Sequence, residues 1–148
     1  MTVRKPYDEI GAEGIERLVE RFYHHMQVRP EAATILAMHP SDLGVTKATL
    51  RAFLSMWLGG PDDFRPVHGE PFLRRRHLRF PIDGAARDAW MHCMRLALDE
   101  VVADARLREH LVANFQQMAD HMVNRASAAP PGHRAGLRGV AADGSNET

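Results

Sequence analysis

The chain has 148 residues, a length that fits one domain with room for a tail. A hydrophobic share of 45% and a charged share of 26% place it among folded globular proteins, able to bury a core and one small ligand. Lys plus Arg and Asp plus Glu number 19 each, so no net field favours nucleic acid or an anionic membrane surface.

Apolar residues recur with a helical period along the chain. Met1 to Ile10 has basic residues but no apolar run behind them, so no signal peptide is expected. Ile15, Leu18, Val19, Phe22, Tyr23 and Met26 make one continuous stripe. Pro30 ends it, and "RPEAATILAM" predicts a short second helix before the break at Pro40. Leu50, Phe53, Leu54, Trp57 and Leu58 form another stripe, stopped by "GGP" at residues 59 to 61. Residues 61 to 83 hold Pro61, Pro66, Gly69, Pro71 and Pro81, which predicts a loop with one helical turn near Leu73 to His77. Asp83 caps the next helix, expected over 84 to 103, with Ala86, Ala89, Trp90, Cys93, Met94, Ala97, Leu98 and Val101 as its stripe. The last helix carries Leu107, Leu111, Phe115, Met118 and Met122. After Arg125 the chain turns to Ala, Gly, Pro and Ser without an aromatic residue, so the expectation is a domain at 1–125 and a flexible tail at 126–148. No strand pattern or internal repeat competes, and the fold class is all-α.

Cys93 is the only cysteine, so no internal disulfide forms, and no apolar run approaches the length that spans a bilayer. A cytoplasmic location follows by exclusion. Cys93 lies on a helix stripe beside Trp90 and Met94, which predicts a buried, inert thiol rather than a nucleophile.

Nine histidines are many for this length. His24 and His25 are consecutive and cannot share a helix face, so surface or boundary positions are expected for both. His92, His110 and His121 lie near apolar stripes and read as boundary packing; His133 falls in the tail, and His68 sits in a loop open to any role. Zinc spacing is absent, with no His-Glu-x-x-His and no cysteine pair. His77 differs. Arg74, Arg75, Arg76 and Arg79 surround it, with Phe80 and Ile82 beyond. One isolated histidine in a helical protein, with apolar neighbours and nearby arginines, suits haem: imidazole for the iron, apolar helices for the porphyrin faces, arginines for the propionates. On composition and spacing alone, surface decoration remains the commoner reading of such a histidine.

Four stretches then carry a family pattern: "RFYHHM" (21 to 26), "LRAFLSMWLGGP" (50 to 61), "RRRHLRFPI" (74 to 82) and "RDAWMHCMRLAL" (87 to 98). In their order and spacing the chain resembles the truncated haemoglobins, group II, over about residues 7 to 125. The resemblance implies a truncated globin fold, a two-over-two helical sandwich around haem b (iron protoporphyrin IX). His77 falls on the proximal iron ligand. Arg76 matches a position that often meets a propionate, and Phe80 and Ile82 match the proximal apolar wall. Phe53, Leu54, Leu73 and Met94 complete the haem-lining set. On the distal side Tyr23 falls on the tyrosine that faces bound ligand, and Trp90 on the tryptophan that marks groups II and III. His39 stands where the family usually has Tyr or Phe and sometimes His. Thr46 takes the site of the distal histidine of ordinary globins, with Leu50 one turn later, so the two form the expected ligand gate. Arg74 and Arg75 stay open between a second propionate contact and solvated surface.

The function implied is binding of O2 and other small ligands (NO, CO, peroxide) at iron opposite His77. Donors from Tyr23, Trp90 and His39 in a dry pocket slow O2 release, which suits ligand retention, sensing or redox protection. One alternative is an NO dioxygenase or peroxidase-type enzyme served by an external reductase. Another is a haem-free helical interaction module. A monomer or homodimer is expected, without nucleic-acid or membrane partners.

Overall fold

The computed structural model describes residues 4–126. The tail expected at 126–148, with His133, lies outside the described residues except for its first position. The elements in order are α1 (Pro6–Val28), a 3-10 turn (Pro30–Ala32), α2 (Ala33–Leu36), α3 (Gly44–Trp57), α4 (Arg65–His68), α5 (Leu73–His77), α6 (Gly84–Val101) and α7 (Ala105–Met122). Among the described residues there is no strand, and no helix is long and apolar enough to cross a membrane.

Local chemistry starts and stops these helices. The backbone N–H of Lys5 donates to Asp8 Oδ2 at 3.0 Å, closing the first turn of α1. Gly11 then kinks α1 at φ 70°, a left-handed conformation that favours glycine. From there Ile15, Leu18, Val19, Phe22, Tyr23 and Met26 are all buried, as their spacing predicts. Asp83 accepts from the Ala86 N–H at 2.8 Å and caps α6. Asp104 does the same for α7, accepting from Arg106 and Leu107 N–H.

α1 packs on α3, α6 packs on α7, and the α1–α6 contact joins the two layers. The "GGP" stretch does more than stop α3. Gly59 takes φ 96°, and a side chain at Gly60 would collide with the Tyr7 ring. Tyr7 N–H meanwhile donates to Leu58 O at 3.0 Å, so the start of α1 is seated on the end of α3.

Three departures from the sequence reading concern the α4 turn, His25 and the helix histidines. A turn of helix, α4, appears inside the expected loop. Asp62 Oδ1 accepts from Phe64 and Arg65 N–H at 3.1 and 3.0 Å, and Phe64 is buried at 3% exposure. Burying that ring contributes about 1.5–3 kcal/mol, enough to hold a short turn in place. His25 is buried too, not a surface or boundary residue. Its Nε2 meets Glu100 Oε1 at 3.1 Å, and Arg21 pairs with both oxygens of the same carboxylate at 2.8 and 3.1 Å. This network ties α1 to α6. His92, His110 and His121 are exposed instead of lying at a packing boundary. His92 pairs with Glu31 at 3.2 Å and His110 bonds Asn114 at 3.1 Å. Cys93 is fully buried as expected, and burial pushes its thiol up to about 11, so it stays protonated near neutrality.

Candidate functional site

His77 ends α5. Its Nδ1 lies 2.7 Å from Leu73 O, one turn back in the same helix. A carbonyl only accepts, so Nδ1 carries the proton and the neutral ring keeps its lone pair on Nε2. That is the nitrogen an iron would need, held in one tautomer by a backbone partner. Among the described residues no group of three or more His, Cys, Asp or Glu could hold a metal ion. A single oriented imidazole suits a metal whose other ligands come from a macrocycle. Phe80 lies beside His77 with ring centroids 6.5 Å apart, and Ile82 is half-buried just beyond. The residue that opens α5, Phe72, sits at φ 39°, the one non-glycine residue in the left-handed region among those described. Backbone strain of this kind collects at sites that the surrounding fold holds firmly.

Tyr23 and His39 come together from α1 and the segment after α2, with ring centroids 5.7 Å apart at a steep angle. Tyr23 is 4% exposed. Its hydroxyl makes none of the hydrogen bonds formed among the described residues, and burial raises its pKa well above the usual range. His39 Nδ1 lies 2.8 Å from Ile35 O, so the neutral ring turns an accepting Nε2 outward. The expected donation from His39 therefore requires the protonated ring.

Trp90, half-buried on α6, packs edge-on against Phe22 at 5.1 Å and tilted against Phe115 at 5.8 Å. Phe115 in turn meets Trp57 at 4.8 Å. Thr46 and Leu50 are half-buried on one face of α3, a turn apart. Leu54 and Met94 are fully enclosed in the core.

A cavity of about 1000 Å³ opens between α3, α5 and α7, lined by Phe53 and Leu73 together with Met56, Trp57, Leu111 and Met118. It reaches the expected set at Phe53 and Leu73, whereas Tyr23, His39, His77 and Trp90 lie outside its lining. The lining is mixed, with Arg65, Arg74, Arg75, Asn114, Gln117 and His121 beside the apolar side chains. The oriented His77 nitrogen, with Phe80 beside it and Ile82 half-buried beyond, fits haem.

Arg76 donates from Nε to Pro71 O and from Nη2 to His68 O and Glu70 O at 2.6 and 2.8 Å, and it lies over the Phe64 ring. It thereby ties α4 to α5. His68, open in the sequence, lies tilted against the Phe64 ring at 4.8 Å. Arg74 donates from Nη1 to His121 O and Val123 O at 2.8 Å each. Arg75 lies over the Phe72 ring at 4.5 Å. Sequence reasoning also missed Asn124, whose amide bridges His77 O and Ile82 N–H. No periodic signal marks it, since it follows the last helix.

The family model described as bacterial-like globin matches residues 5–124. A group 2 truncated haemoglobin of Bacillus subtilis (strain 168) is 41% identical over 123 residues, covering 83% of this chain and 91% of that protein. The group II 2-on-2 haemoglobin of Agrobacterium tumefaciens superposes with a TM-score of 0.81 at 40% identity, over 84% of this chain and 98% of that one. A truncated oxygen-avid haemoglobin of Bacillus subtilis gives a TM-score of 0.75 at 40% identity, over 82% and 100% of the two chains.

Proposed function

The chain belongs to the bacterial-like globins, as a group II truncated haemoglobin with the two-over-two helical fold, and from that membership we propose that it holds haem b through His77, binds O2 and other small diatomic ligands, and releases O2 slowly. Haem, when bound, supplies an iron atom for ligand binding and electron exchange. The observation that carries the reading is the His77 ring, whose Nδ1–H is committed to Leu73 O and whose Nε2 lone pair is therefore ready for a metal.

The side chains divide the remaining work. Phe53, Leu73, Phe80 and Ile82 offer apolar walls that keep water from the porphyrin faces. One cysteine cannot supply a Cys-x-x-Cys-His attachment, which supports non-covalent haem over the c type. Tyr23 holds a proton at a hydroxyl in a dry setting, where a donor is worth more than in water. Trp90 adds an indole N–H, which only donates. Neutral His39 accepts at Nε2, so it orients a neighbouring donor and leaves donation to Tyr23 and Trp90. Thr46 and Leu50 form the gate on the α3 side. The oxygen-avid relative is consistent with this donor set.

The test is spectroscopic and kinetic. Full-length protein reconstituted with haemin is expected to show a Soret band, and His77→Ala to lose it or weaken it greatly. In stopped flow, Tyr23→Phe is expected to speed O2 release on the order of tenfold, the equivalent of one well-placed hydrogen bond. A wild-type protein that takes up no haemin refutes the haem reading. Unchanged release rates in Tyr23→Phe and Trp90→Phe refute the assigned donors.

A further inference from the structure

We infer that Asn124 is a positioning residue for the proximal histidine, holding the His77 loop against the end of α7; this rests on the haem reading above. α5 has five residues, too few to persist as a helix without outside support. Its first residue is preceded by the strained Phe72. The Nδ1–Leu73 O bond orients the His77 ring only within its own turn. Something else must fix that turn relative to the rest of the fold.

Besides the Arg76 contacts towards α4, two latches to the C-terminal end of α7 and the residues after it do so. At one end of the loop, Arg74 Nη1 caps the terminal carbonyls His121 O and Val123 O, where a cation is favoured. At the other end, Asn124 Nδ2 donates to His77 O at 3.1 Å, while its Oδ1 accepts from Ile82 N–H at 3.1 Å. The backbone N–H groups of Asn124 and Arg125 both donate to Ile82 O, at 2.9 and 3.1 Å. His77 and the wall residue Ile82 are thus fastened to one side chain.

Asparagine suits the task because its amide carries a donor and an acceptor in one plane. Aspartate keeps the acceptor for Ile82 but loses the donor and sets a carboxylate oxygen against the His77 carbonyl. Alanine loses both bonds. Asn124 touches neither ligand nor iron, so its effect passes through His77.

The experiment uses the full chain loaded with haemin, comparing wild type, Asn124→Ala, Asn124→Asp, Asn124→Gln and Arg74→Gln. Resonance Raman of the ferrous protein reads the iron–histidine stretch, and transfer of haem to an apoglobin scavenger reads the haem dissociation rate. Asn124→Ala and Asn124→Asp are expected to shift or broaden the iron–histidine band and speed haem loss about tenfold, the size of one lost hydrogen bond. Asn124→Gln, which keeps both functions on a longer arm, recovers part of the wild-type band. If Asn124→Ala lowers only the melting temperature, with band and haem loss as in wild type, Asn124 is merely structural and the inference fails while the haem reading stands. If Asn124→Ala does not fold, Asn124→Asp decides in the same way. Failure of wild type itself to take up haemin overturns both.

Discussion

At the scale of single residues, burial and pairing set two measurable reactivities. Cys93 has no exposed surface, and its thiol is pushed up to about 11 by burial first and by the charge of Glu31 second. A disulfide reagent at pH 8 is therefore expected to leave Cys93 unmodified in the native protein and to label it fully in denaturant. Rapid labelling of native protein contradicts the buried placement. Glu100 is the opposite case: Arg21 first and then His25 lower its carboxyl from 4.5 to about 2. The depressed value means the unfolded chain takes up the proton first as pH falls. The pair's contribution is full above pH 4.5 and disappears towards pH 2. Because the Glu100 side chain is 38% exposed, solvent screens it and the contribution is on the order of 1 kcal/mol. Urea titrations of wild type and Glu100→Gln are expected to differ by a constant amount near neutrality and to converge in acid. A gap that persists at pH 2 means the carboxylate is not the group involved.

At the scale of elements, features with a local cause were legible in the sequence, except the α4 turn capped by Asp62. The α1 stripe, the Pro30 stop, the turn at Leu73 to His77 and the Asp83 cap all depend on neighbours within a few positions. Asp83→Ala removes the acceptor for Ala86 N–H on the helix that carries Trp90, and a cap of this kind is worth about 1 kcal/mol. The melting temperature is expected to fall by about 4 °C, with Asp83→Ser close to wild type. Equal losses in Ala and Ser variants would mean that the hydroxyl cannot replace the carboxylate here. Features with distant causes were not legible. Arg74 looked like propionate partner or solvated surface, because its acceptors lie 47 and 49 residues away. His25 looked like surface until its partner 75 residues on was in view. The distal pair Tyr23 and His39 shows both sides: motif order placed the two residues, but only the Ile35 carbonyl fixes which imidazole nitrogen faces outward.

At the scale of the whole molecule, the fold carries walls that its own core does not fill. Leu50, Trp57, Leu73, Ile82 and Trp90 pack against the buried cluster yet keep part of their surface. Beside Phe53 and Leu73 the cavity of about 1000 Å³ remains. Apolar surface left in contact with water contributes nothing to folding, so the chain without its ligand is less stable than its size suggests. A group that enters the folded state alone stabilises it by mass action, about 4 kcal/mol when present at a thousandfold excess over its dissociation constant. Removing haem is therefore expected to lower the melting temperature by about 15 °C, and adding haemin back to restore it. Calorimetry of the apo, holo and reconstituted protein measures this directly. Adding His77→Ala separates the two sources of the gain. If burial between the walls dominates, the variant with haemin still melts above its own apo form; if ligation dominates, the two coincide. Equal melting of wild-type apo and holo protein would mean that the half-buried walls are satisfied by something other than haem.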